Sequence, residues 1–234
     1  MSSARFQLPY GRGQTFECAL DSAQLVGSIR PPAGLMNVAD ATAAAIENPI
    51  DFPPLRKALV GEDKVAIVLD RRTPQAEQLL LGLWRVLAAA GVQAGDVQVI
   101  QPADLRSGIV ADPRSALPAD VRAQMGWIRH DPLTEGGCGY LATSAAGERI
   151  YLTRDLLEAD IVVCVGTIEF DALLGYRGTL SSVYPGLSNA EAIRKSLGSG
   201  HDELAPDDPR PLRELADEVG WLLGVQFVVQ VVPA

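Results

Sequence analysis

The chain has 234 residues, of which 47% are hydrophobic and 21% charged, with a formal net charge of −9. This length and balance describe an ordinary globular protein with a sizeable core and exclude intrinsic disorder, while the acidity and the lack of a basic cluster interleaved with aromatics exclude a nucleic-acid surface. No apolar stretch approaches the roughly 20 residues of a membrane helix, Arg5, Pro9 and Arg12 break any signal-peptide core, and the three cysteines, Cys18, Cys138 and Cys164, form no CxxC pair, which excludes a disulfide framework and a structural zinc site.

In chain order, residues 8–35 are rich in Gly and Pro around the alternating piece 15–20, TFECAL, and are read as a small β segment or hairpin. Residues 40–48 form a short alanine-rich helix stopped by Pro49, and 55–59 a helical turn. The run 65–69, VAIVL, is a buried strand. After it Pro74 stands near the start of a helix that runs to Ala90, with Leu79, Leu83, Val86 and Leu87 on one face and Gly91 as the stop. The next strand is 97–100, so the order is β-α-β with a parallel crossover.

A polar, proline-rich stretch, 104–120, leads to a short helix at 119–125 and a strand at 127–129. Gly136, Gly137 and Gly139 precede a hairpin of 140–142 with 149–152 around Ala146-Gly147. Residues 154–159 are a helix, 161–165 the third core strand, 189–197 and 211–223 helices, and 226–232 the last strand. The alternation predicts an α/β fold, a Rossmann-like, doubly wound and mostly parallel sheet, in one domain over 1–234: a β-rich appendage at 1–36 and an α/β core at 37–234.

The densest functional signal is 161–188, IVVCVGTIEFDALLGYRGTLSSVYPGLS, in which a buried strand gives way to charges, hydroxyls and glycines. Gly166 is read as the point where the chain turns; Glu169, Asp171, Arg177, Gly178, Ser181 and Ser182 then fall where a backbone can approach a ligand closely. Glu169 and Asp171 are two apart and share a side of extended backbone; they are either an acid and base whose closeness raises one pKa, or a cap and a solvated charge. Asp70, the two guanidinium groups of Arg71 and Arg72, and Thr73 lie just past the strand 65–69, on the ligand side of an open α/β sheet; they either bind a carboxylate or phosphate, or Asp70 and Thr73 cap the following helix and the arginines are solvated. Neither GK[ST] nor GxGxxG is present, so the common nucleotide motifs are excluded. The only histidines, His130 and His201, are far apart, which predicts no metal site from this chain alone. His130 is read either as a general base oriented by Asp131 or as a loop brace, and Cys164 as packing.

The same stretch resembles the lactate racemase family, nickel-pincer enzymes that racemise or epimerise 2-hydroxy acids, whose loop reads approximately IEPHxxAGFSGGRKxxxPG. Ile168-Glu169, Gly175-Tyr176, Gly178 and Pro185-Gly186 match it in order. Leu8-Pro9-Tyr10-Gly11 resembles the family's LPYG, 64–74 its strand and DxTRP, and His130-Asp131 a His-Asp pair further on; the segment 154–166 and the strand 227–232 also agree. The resemblance covers nearly the whole chain but only the family's N-terminal domain, and no C-terminal domain is expected after Ala234. It implies an isomerase class, a hydroxy-acid or other small anionic ligand and a nickel-pincer nucleotide. Against that pattern, Asp171 stands at a catalytic histidine, Ser181 at the lysine that anchors the cofactor, Leu105 beside Arg106 at a second catalytic histidine, Leu197 at a metal-ligating histidine, and Thr73 beside Arg72 at the arginine of DxTRP. The expectation is a cytoplasmic family member with altered site chemistry and no known cofactor: either an isomerase-class protein binding a small carboxylate or other anion, or a non-catalytic binding or regulatory subunit. Its expected partners are a second copy or a chain supplying the second domain, and neither nucleic acid nor membrane.

Overall fold

The computed structural model describes residues 3–10, 14–21, 32–102, 111–171, 173–197, 205 and 207–233. The chain divides into two compact units, Met1–Gly34 with Ala234, and Leu35–Pro233. The first contains an antiparallel hairpin, β1 (Ser3–Tyr10) with β2 (Gln14–Asp21), paired from Ser3 with Asp21 to Tyr10 with Gln14. Gln7 Nε2 donates to Glu17 Oε1 across it at 2.7 Å. The hairpin starts five residues earlier than the composition of 8–35 indicates, because SARFQ carries no turn residue to mark it as strand or loop.

The second unit is built on five parallel strands: β3 (Val65–Leu69), β4 (Val97–Gln101), β5 (Gly126–Arg129), β8 (Ile161–Thr167) and β11 (Phe227–Val231). Their spatial order is β11-β8-β3-β4-β5. All residues of β3 and β8 are buried, which is why both read as continuous apolar runs. Odd-numbered side chains of β3 and β8 (Val65, Ile67, Leu69, Val163, Val165) enter one core with Val97 and Val99 of β4 and with α2 (Ala76–Ala89), while α1 (Val38–Glu47) supplies Ile46. Even-numbered ones (Ala66, Val68, Val162, Cys164) enter a second core with Ile150 and Leu152 of the hairpin β6 (Cys138–Thr143) and β7 (Arg149–Thr153), Leu156 of α4 (Arg154–Leu157) and Val219 of α6 (Pro211–Leu223). The period-two alternation of a strand thus separates two helical layers. α3 (Ala119–Gln124) precedes β5, and α5 (Ala190–Leu197) comes after the functional loop.

Local chemistry explains the element ends. Asn37 caps α1, its side chain accepting from Asp40 N at 3.1 Å. Pro211 opens α6 and Gly224, at φ 73°, closes it in the left-handed region. α1 lies so close to α2 that a Cβ at Gly82 would fall 2.4 Å from Ala39 O.

One expectation changes. The chain does not turn at Gly166: β8 continues through Thr167, and a Cβ at Gly166 would meet Thr179 Cγ2 at 2.7 Å. The glycine is there for close approach of the segment around Thr179 rather than for a bend. Nor is the stretch after β8 an open loop. It forms a small hairpin, β9 (Glu169–Asp171) with β10 (Gly175–Arg177), and then a 3-10 turn, Thr179–Ser182.

Candidate functional site

The strands advance from β3 to β4 to β5 in one direction, and the chain then returns to place β8 on the other side of β3. That reversal is a topological switch point, and the crevice beyond the carboxyl ends of β3 and β8 is where an open α/β sheet receives a ligand. Asp70 comes directly after β3, is 4% exposed, and donates its backbone N–H to Val165 O at 2.9 Å, stitching the two strand ends together. Its Oδ1 accepts from Arg72 N at 3.1 Å, and its carbonyl accepts from Thr73 N at 3.1 Å. Asp70 Cβ and Thr179 Cγ2 both approach the bare face of Gly166, 3.5 and 2.7 Å from where a Cβ would stand.

Four hydroxyls near the carboxyl ends of β3 and β8 share one condition. Thr73, Thr167, Thr179 and Ser182 are 7%, 4%, 2% and 3% exposed, and none of their side-chain oxygens has a hydrogen-bond partner among the described residues. Among those residues only one further buried side-chain oxygen is in that condition, Glu47 Oε1. An unmet buried hydroxyl costs about 1–3 kcal/mol, so these four groups are unfavourable as they stand.

The other expected site residues divide. Arg72 reaches toward Glu169, Nη1 to Oε1 at 4.0 Å, with both side chains substantially exposed, a pairing worth little by itself. Asp171 closes the β9–β10 turn: its Oδ1 accepts from Leu173 N and Leu174 N, both at 2.9 Å. Arg210, which carries no sequence signal, supports the same hairpin by donating from Nη1 to Leu173 O at 3.4 Å and packing against Gly175. Ser181 donates from Oγ to Gly178 O at 2.8 Å and lines a cavity of about 150 Å³ with Arg213, Asp217, Val228 and Gln230, on the side of α6 and the edge strand β11. His130 is 6% exposed and its Nε2 is 2.7 Å from Ser188 O, while Asp131 Oδ1 accepts from Leu133 N at 3.0 Å; the two side chains serve different loops. Arg106 and Leu105 lie outside the described residues.

Arg71 is partly buried and Arg129, the last residue of β5, is exposed. Partial burial, and after it the like charge of Arg129, push the Arg71 guanidinium below its ordinary value.

The model of the lactate racemase N-terminal domain matches residues 10–201. The chain belongs to the lactate racemase N-terminal domain family. Among curated proteins it is 22% identical over 197 residues to the lactate racemase of Thermoanaerobacterium thermosaccharolyticum, an alignment covering 81% of this chain and 46% of that protein. The structure of the lactate racemase apoprotein from the same organism superposes with a TM-score of 0.76 at 19% identity, over 99% of this chain and 56% of that one. A crystal structure of a Thermotoga maritima protein gives 0.56 at 14% identity, over 83% and 50%. The chain thus spans about half the length of these relatives, and at such identities the structural likeness shows the fold.

Membership raises the question of the family's nickel pincer. A covalent anchor needs an amine at the loop; the described residues of the loop include no lysine, and Ser181, where the resemblance puts the anchor, donates its hydroxyl to Gly178 O. The lysines lie elsewhere: Lys57 in a 3-10 turn after α1, Lys64 at the opposite, amino end of β3, and Lys195 on α5 with Nζ 2.8 Å from Glu148 Oε2. His130 is committed through Nε2, and His201 lies outside the described residues. The described residues of the crevice therefore do not fit a pincer tethered through lysine and held by histidines.

Proposed function

We propose that this domain binds a small organic anion, a hydroxy-acid carboxylate or a related oxyanion, in the crevice beyond β3 and β8, without a nickel cofactor anchored in the family's manner. The observation that carries this reading is the four buried, unpartnered hydroxyls near the carboxyl ends of β3 and β8, the edge that also holds the buried Asp70. Hydroxyls donate readily to an oxyanion and add no charge of their own, and the neighbouring guanidinium groups supply it. Asp171 and Ser181 are held by backbone bonds and act as scaffold, while the contacts to ligand come from Thr73, Thr167, Thr179 and Ser182. Of the longer relatives' activity, only the ligand class is carried over.

Titration calorimetry with lactate and with inorganic phosphate tests the crevice. Binding of one of them by the wild type, and its loss in Thr179→Val with Ser182→Ala, is the expected result. No binding, or binding indifferent to both substitutions, would sink the crevice reading. Metal analysis and native mass spectrometry test the cofactor half, which stoichiometric nickel or a covalent adduct on the purified chain would overturn.

A further inference from the structure

We infer that Gln101, at the carboxyl end of β4, is a specificity-determining residue of this crevice: its side-chain amide donates to an oxygen of the ligand, and Trp127 and Arg114 hold it in that orientation. The inference rests on the crevice proposed above and adds a donor, and with it the ligand substituent that the crevice selects.

The indole decides which way the amide points. Gln101 is the last residue of β4 and is 3% exposed. Trp127 donates from Nε1 to its Oε1 at 2.9 Å. An indole N–H only donates, so the amide atom that faces it must be the carbonyl oxygen, and turning the amide end for end would lose the bond. The amide plane then puts Nε2 on the far side of Cδ from Trp127. Trp127 lies on β5, so that direction leads away from β5 and toward the end of β3, where Asp70 and Thr73 follow. Nε2 has no acceptor among the described residues.

The indole is itself fixed. The Arg114 guanidinium stands 5.5 Å from the centre of the Trp127 ring. It is held there by Asp112, Nε to Oδ1 at 3.0 Å and Nη2 to Oδ2 at 2.9 Å, and by Met125 O, 2.6 Å from Nη1. The backbone of Gln101 is tied as well, its carbonyl accepting from His130 N at 2.9 Å. Contacts also join the end of β4 to the turn that carries Ser182. A Cβ at Gly186 would fall 2.4 Å from Ser182 O and 3.1 Å from Cβ of Pro102, the residue after Gln101. Neighbouring strands are about 4.8 Å apart, so Gln101 stands one strand from the end of β3 and within the span of a small ligand there.

An amide NH2 group donates, never accepts and brings no charge. It bonds to a carbonyl or hydroxyl oxygen and offers nothing to a methylene in the same place. A site that hydrogen-bonds a substituent rejects the analogue that lacks it, because the buried donor is then left unmet. The class selected is therefore a small carboxylate bearing a carbonyl or hydroxyl oxygen, in preference to a plain alkyl carboxylate.

Calorimetric titration of the full chain with pyruvate, lactate and propionate, three monoanions of similar size, isolates the substituent. Pyruvate and lactate are expected to bind at least about tenfold tighter than propionate, and Gln101→Leu should remove that advantage. Gln101→Glu keeps an acceptor for the indole but turns a second acceptor toward the ligand. Pyruvate, which can only accept at that position, should then lose at least about tenfold more affinity than lactate, whose hydroxyl can donate. Trp127→Phe releases the amide and should shrink the ratio of pyruvate to propionate affinity, which a loss of packing alone would not move. Propionate binding as tightly as the other two in the wild type, or an unchanged ratio in Gln101→Leu, would overturn the inference. If Thr179→Val with Ser182→Ala abolishes binding while Gln101→Leu leaves the ratio intact, the crevice stands and the role of Gln101 falls; if the wild type binds none of the three, both fall.

Discussion

At the scale of single residues, the site sets stability against binding. Thr179 is 2% exposed with an unpartnered hydroxyl, so the folded protein bears the desolvation of that group with no bond in return. Replacing it by valine keeps the shape and removes the cost. Thr179→Val should raise stability by about 1 kcal/mol in the absence of ligand, read as a higher urea midpoint at unchanged m-value. A loss of stability would mean that the hydroxyl has a partner and that the reading of it as a ligand donor is wrong. Asp171 is the opposite case. Its Oδ1 accepts from two backbone N–H groups, so turn geometry alone gives this carboxylate a structural role.

At the scale of elements, the parallel strands were legible and the parts around them less so, for physical reasons. VAIVL and IVVCV are buried on both faces and so appear as unbroken apolar runs, and helices such as α2 and α6 show their apolar stripe and their glycine stops. The β9–β10 hairpin is invisible in the sequence because its strands, EFD and GYR, are three residues each and mostly polar; Gly175 at φ 74° and Arg210 some 35 positions later hold it. His130 was open between base and brace, and its bond to Ser188 O ties the end of β5 to the segment that closes the functional loop. His130→Ala should therefore cost about 1–3 kcal/mol, leaving the Ser188 carbonyl buried without that partner. The measurement is again a urea midpoint; a change below about 0.3 kcal/mol would show that the brace is dispensable.

At the scale of the molecule, the two cores answer differently to alkaline pH. The second core, between the sheet and α6, contains Cys164 and Tyr184, both almost wholly buried. Burial pushes the Cys164 thiol from 9.0 up to about 12. Burial first, and then the charge and hydrogen bond of Glu148, push the Tyr184 phenol from 10.0 up to about 12. Both groups lose their proton to become anions, and both keep it longer in the folded state than in the unfolded one. Above pH 9 for the thiol and pH 10 for the phenol the unfolded chain binds fewer protons than the folded chain, so stability falls as pH rises. Their contribution is complete below about pH 9 and is lost through about pH 12. Urea unfolding between about pH 8 and about pH 11.5 should show this decline, with Tyr184→Phe declining less steeply above about pH 10. The variant should start lower at neutral pH, by about 1 kcal/mol, for want of the bond to Glu148 Oε1. Parallel curves for the two proteins would show that Tyr184 ionises as readily in the fold as outside it. The second core would then admit the charge of the phenolate beside Glu148, and its burial could not be what holds that proton in place.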